Sequence, residues 1–207
     1  ELFASLQAVT ESPSSLVLRE QVLNTSQRYL ERFNAITDQV ERIAGQVDGA
    51  IAAQVEQVNT ITSSIAELNR QISLRSAQPA GSQPNDLLDQ RDQLLRELAQ
   101  YTGFTTSKDG SGAINVFVGG GQALVLGSRS TDLSTITDGG VGNRLDIVLE
   151  QNGIQRRVTD RLGGGQIGGL LQLRDSGLDS TLDQLGLLQT QIVSAFNSVH
   201  AQGIDLN

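Results

Sequence analysis

From Ser14 to Leu74 the chain contains no proline and only two glycines, Gly45 and Gly49. Proline breaks a helix interior, so a stretch this long without it can form a single helix. At about 1.5 Å per residue such a helix would extend roughly 90 Å, several times the diameter of a compact domain. The predicted shape is a rod packed along its length against partners rather than a shell around a pocket. Apolar residues recur at Leu16, Leu23, Leu30, Phe33, Val40, Ile43, Val47, Ile51, Val55, Val58, Ile61, Ile65, Leu68 and Ile72. From Val40 the steps are threes and fours, close to a heptad seam with one slip at Ile51–Val55. Gly45 and Gly49 lie just before the slip. Each costs about 1 kcal/mol relative to alanine in a helix interior. They mark a bend, a close helix approach, or an exposed weakness that the helix tolerates.

A short helix precedes this run, with Leu2, Leu6 and Val9 on one face. Ser12 before Pro13 reads as an N-cap followed by proline at the first helical position, which predicts a long helix over 13–74. The stretch 76–84, with Pro79, Gly81 and Pro84, reads as a loop. A second helix is predicted over 85–101, with Leu87, Leu88, Leu94, Leu95 and Leu98 on its apolar face. The short connection predicts that it folds back antiparallel. Residues 1–101 are therefore expected to be a helical rod.

From Gly103 the apolar period changes to two. Ile114, Val116 and Val118 follow the turn residues Asp109-Gly110-Ser111-Gly112. Gly119-Gly120-Gly121 leads into Ala123–Leu126. Leu145, Ile147 and Leu149 precede an Asn152-Gly153 turn into 154–158. Residues 102–165 are thus expected to be an antiparallel β subdomain. Helix is expected again near Ile167, with Leu178, Leu182, Leu185, Leu188, Ile192, Phe196 and Val199 on one stripe, so that 166–207 return to pack on the rod. The predicted fold class is mainly α with a small antiparallel β subdomain (α+β), its long antiparallel helices packed as a rod-like bundle.

Composition narrows the function. There is no Cys, which excludes a disulfide framework, a thiolate zinc site and a thiol nucleophile. The net charge is −8, Lys108 is the one lysine, and the arginines are scattered among acids. Nucleic acids and anionic membranes require clustered cations, so neither is an expected partner. No apolar stretch approaches the roughly 20 residues that span a bilayer. The opening residues Glu1–Leu6 read as the middle of a helix, so residue 1 is expected to be a boundary within a longer chain.

Few constellations could carry chemistry. Asp86, Asp89 and Asp92 share a helical flank. A hard cation wants six or more oxygens, however, and Arg91 and Arg96 lie within pairing reach. The set Asp86, Asp89, Arg91, Asp92 and Arg96 reads instead as a charged surface fixing register against a helix or a neighbouring subunit. Gly163–Gly168 matches the glycine spacing of a dinucleotide loop but lacks the surrounding βαβ unit. It reads as a flexible junction from strand to helix. His200 is the sole histidine and lacks partners for a triad or a zinc site. Asn24-Thr25-Ser26 is a glycosylation sequon placed mid-helix. Neither catalysis, a metal nor a cofactor is expected.

The block Asn85-Asp86-Leu87-Leu88-Asp89-Gln90-Arg91-Asp92-Gln93-Leu94 resembles a signature of the hook-associated protein 1 family of bacterial flagella, the first hook–filament junction proteins. Four further segments resemble the family in the same order. They are Leu2–Gln7 with Ser12-Pro13, Asn115–Val118 with Gly121–Gly127, Gly168–Asp175, and Phe196–Asn207. The resemblance implies a secreted structural subunit of the extracellular flagellum, required for filament assembly on the hook. It implies contacts with other axial proteins (the hook protein and the second junction protein) and with copies of itself. An export chaperone would bind through terminal sequence outside this chain, where the family has further helical segments. The alternative reading of the heptads is a coiled-coil signalling or adaptor module, which would be a parallel homodimer.

Overall fold

The computed structural model describes residues 1–76, 84–137, 144–151 and 153–200, the side chains of 199 and 200 excepted. The loop expected over 76–84 therefore falls largely outside the described residues, as do Asn152, the His200 side chain and the segment 201–207. The described chain is α+β and mainly helical, with two small antiparallel sheets. Its contacts group into two compact units. One comprises Glu1–Ala44 with Leu178–Asn207, and the other Gly45–Gly177.

The first unit holds α1 (Leu2–Glu11), the opening half of α2 (Leu16–Ser76) and all of α5 (Ser180–His200). The long helix begins later than expected. Pro13 and Ser14 form a turn in which the Ser12 carbonyl accepts the Ser15 amide at 3.1 Å. Ser15, not Ser12, lies ahead of the first turn, and its Oγ accepts the Leu18 amide at 3.4 Å. Arg19 Nε donates to the Pro13 carbonyl at 2.8 Å, so that carbonyl is partnered without a helix around it. The hydroxyls of Ser5 on α1 and Thr25 on α2 sit 2.9 Å apart and buried, so the middle residue of the sequon is an internal contact.

The apolar seam of α2 is not one continuous buried stripe. Phe33 and Val47 are buried, whereas Leu16, Leu23 and Leu30 lie on the surface, Leu16 at 74% exposure. Seven-residue spacing on a straight helix drifts by about 20° per heptad, so it need not follow the buried face, which here passes through Thr25 and Phe33.

The second unit contains the rest of α2, which is buried at Ile51, Val55, Val58, Ile61 and Ile65. Helix α3 (Asn85–Tyr101) runs back along it, with Leu87 against Leu68 and Ile72. Strands β1 (Thr105–Lys108), β2 (Ile114–Val118), β3 (Gln122–Leu126) and β4 (Arg129–Ser130) form one antiparallel meander. Strands β5 (Leu133–Thr137), β6 (Leu145–Gln151) and β7 (Ile154–Arg157) form another. The alternation expected along β6 does not hold, because Asp146 and Val148 are buried together with Ile147 and Leu149. Asp146 is accommodated by the Thr159 hydroxyl, which donates to it at 2.8 Å, and by Arg157 at 2.9 Å. A 3-10 turn (Thr159–Arg161) leads to α4 (Gly165–Gln172), which packs on α3. A π-helical segment, Leu173–Asp179, then continues into α5.

The glycine cluster before α4 is a close-packed crossing rather than the flexible junction expected from composition. The Gly103 amide donates to the Gly163 carbonyl at 2.7 Å. Gly165 has φ +59°, and a Cβ there would lie 2.5 Å from the Tyr101 carbonyl carbon. Only glycine fits where these two backbones meet.

Candidate interface and its supporting polar pins

The charged block on α3 divides into an inward residue and an outward face. Asp86, Asp89, Asp92 and Arg96 are exposed, whereas Arg91 is buried at 3% exposure. Arg91 does not turn toward the aspartates. Its Nη1 donates to Asn69 Oδ1 at 3.1 Å and to the Gly112 carbonyl at 2.9 Å. Burial lowers the guanidinium pKa, and the nearby Asp92 carboxylate opposes that shift. The buried Nε has no hydrogen-bond partner, so the charge is held at a desolvation cost.

Asn69, on the fully buried face of α2, is the centre of this pin. Its Nδ2 donates to the carbonyls of Ile114 at 2.8 Å and Gly127 at 2.7 Å, and its Oδ1 accepts the Ile114 amide at 3.1 Å. Ten positions earlier Asn59 repeats the device on the other sheet. Its Nδ2 donates to the Leu133 carbonyl at 2.8 Å and its Oδ1 accepts the Leu133 amide at 2.9 Å. An asparagine side chain offers the same donor and acceptor as a peptide group, so α2 satisfies strand-end backbone groups that a helix backbone cannot.

A second buried arginine, Arg174, closes the other end of the unit. Its Nη1 donates to Asp48 Oδ1 at 3.1 Å and to the Leu145 carbonyl at 2.7 Å, and its Nε to Asp175 at 3.0 Å. Burial alone would lower its pKa, but the bonds to Asp175 and Asp48 outweigh this and raise it. Asn59, Asn69 and Arg174 belong to no motif that marks them by sequence as internal polar pins. The available signal was two asparagines on the apolar side of a long helix, a placement that requires internal partners.

The first unit presents the opposite surface chemistry. Phe3, Leu16, Val17, Leu23, Leu30 and Phe196 all remain substantially exposed, Phe3 at 81%. Apolar residues scattered singly on a surface are ordinary, but a row of leucines at seven-residue intervals is the pattern of a helix-packing face.

The family model of the flagellar hook-associated protein FlgK helical domain matches residues 1–207. The chain belongs to that family. Flagellar hook-associated protein 1 of Escherichia coli K12 is 32% identical over 209 residues, covering 100% of this chain and 38% of that protein. The Salmonella typhimurium protein of the same name is 33% identical, covering 98% of this chain and 37% of its own. The flagellar hook junction protein FlgK from Burkholderia pseudomallei has a similar structure, with a TM-score of 0.79 at 32% identity over 89% of this chain and 34% of that one. The chain therefore spans well under half the length of these relatives. Among the described residues, no helix is long and apolar enough to cross a membrane, and no three acidic, histidine or cysteine side chains are grouped to hold a metal ion.

Proposed function

We propose that this FlgK helical domain is part of a structural subunit of the bacterial flagellum that works at the hook–filament junction by helix packing, without catalysis. The observation that carries this reading is the exposed row Leu16, Leu23 and Leu30 on a helix of 61 residues. An isolated soluble domain gains nothing from such a face, whereas an assembly buries it against neighbouring helices. The relatives' names supply the setting, the hook and its junction. The partners in this reading are the hook protein, the second junction protein and further copies of the subunit, with an export chaperone bound through sequence outside this chain. The subunit acts outside the cell. In chain order, 1–101 serve as the helical rod, 102–165 as the β subdomain and 166–207 as returning helices. The exposed carboxylates Asp86, Asp89 and Asp92 with Arg96 set register against a neighbour, and Arg91 holds their helix in place.

Light scattering on the bare chain, repeated after restoring terminal sequence of the kind the relatives carry, tests the reading. A monomer that gains assembly or junction binding with its ends restored is the expected result. A stable parallel dimer of the bare chain overturns it in favour of a coiled-coil adaptor.

A further inference from the structure

Both sheets lie within the second unit, and each is open at its two outer strands. Strands β1 and β7 are exposed along their whole length, and Ile154 on β7 is 67% exposed. The register shows which backbone groups face outward. The Asp109 amide donates to the Ala113 carbonyl at 3.0 Å, so alternation along β1 turns the amides and carbonyls of Thr106 and Lys108 away from β2. The Val158 amide donates to the Ile147 carbonyl at 2.9 Å, which in the same way turns those of Gln155 away from β6. Such a row of outward donors and acceptors is a template for a strand from another chain. The charges on these strands run against the rest of the molecule. The whole chain has 23 acidic residues against 15 Lys and Arg. On β1, β4 and β7 that balance is reversed, with Lys108, Arg129, Arg156 and Arg157 present and no carboxylate. The strand acids Asp146 and Glu150 both lie on β6, the central strand of its sheet. The remaining edge, β5, has no charged residue, and there Asn59 of α2 occupies the backbone groups of Leu133.

We propose that the cations on β1 and β7 guard these edges against a second copy of this chain, so that copies cannot join sheet to sheet. Any pairing among the β1 and β7 edges of two copies brings cation toward cation, and like charges across a strand pair are destabilising. A strand laid along either edge must also strip water from Lys108 or Arg156. Strand β4 needs less protection, because two residues are too short to template a partner, and it still carries Arg129. Arg157 is already matched by Asp146 at 2.9 Å, which leaves Lys108 and Arg156 as the principal guards. The guard belongs to this chain alone and does not rest on the junction reading.

Lys108→Thr with Arg156→Thr tests the guard, since threonine suits a strand and both positions are exposed. The control is Arg28→Gln with Arg32→Gln on the exposed surface of α2, which removes the same charge away from the sheets. Both variants lose two cations from a chain of net charge −8, so general repulsion between copies rises in each. Association by the edge variant alone is therefore specific to the edges. Sedimentation is expected to show its mass rising at concentrations about tenfold below those at which the parent associates, with the control no more associated than the parent. Amide exchange at Thr106 and Gln155 should slow in the associated form. Single Lys108→Thr should shift the same way by a smaller factor, and it decides the matter if the double variant fails to fold. An edge variant that associates no more than the parent overturns the guard. So does equal association by the control, or association that leaves exchange at Thr106 and Gln155 unchanged.

Discussion

Replacing Asn69 by leucine isolates the polar pin that joins α2 to the first sheet. The substitution nearly preserves side-chain size, so cavity terms are small, and the change is almost entirely in hydrogen bonding. Three bonds to backbone groups of Ile114 and Gly127 disappear, together with the bond from Arg91. Backbone groups left without partners in a buried site cost about 1–3 kcal/mol each, and some regain water at the strand ends. The expected loss is therefore about 4 kcal/mol, a large part of the roughly 5–15 kcal/mol that holds a domain together. Arg91→Met should cost much less, about 1–2 kcal/mol, because it also removes a buried charge whose Nε is already unpartnered. Only two tyrosines are present, so in a Tyr29→Phe background Tyr101 at the end of α3 reports urea unfolding of its own unit. The midpoint should fall far more for Asn69→Leu than for Arg91→Met. A smaller loss for Asn69→Leu, or one under about 1 kcal/mol, would refute the view that the asparagine is the centre of the pin.

Gly165→Ala should destabilise the second unit by more than about 3 kcal/mol, because its Cβ meets the Tyr101 backbone and its φ is positive, whereas Gly169→Ala, with open space around it, should be neutral or stabilising by thermal melt. The Glu67 carboxyl is held at about 2, chiefly by hydrogen bonds from Arg70 and then Gln71. A folded pKa below the unfolded one stabilises above the ordinary carboxylate range and is lost as pH falls toward 2, so a carboxyl NMR titration should show a midpoint near 2 that Arg70→Gln moves upward. Leu16→Glu with Leu23→Glu and Leu30→Glu should leave the melting temperature of the chain within a few degrees of the parent while abolishing assembly in the protein with restored ends. A large drop in melting temperature would show that these leucines are internal after all.

Several parts of this fold are legible in residue order because the physics is local. The missing prolines permit α2. Asp109 marks the β1–β2 turn, where its Oδ1 accepts the amides of Ser111 and Ala113. The leucines at 87 and 98 mark the buried side of α3. The short polar strands β1 and β4 are not legible there because two to four residues carry no periodicity, and only pairing to β2 and β3 makes them strands. The glycines at 163–168 could be seen but their meaning could not. Composition cannot distinguish a slack loop from a crossing in which Gly165 has no room for a methyl group.

The sequence by itself therefore determined the helices and the longer apolar strands, the aliphatic and cysteine-free core, the family, and the exclusion of whole classes of chemistry by missing residue types. Tertiary structure alone decided the direction in which ambiguous residues face. Arg91 belongs to a charged block but turns inward to Asn69, and Leu23 belongs to an apolar seam but faces outward. The reason is that helical spacing fixes which residues share a side, whereas the partner that side meets is set by contacts between residues tens of positions apart.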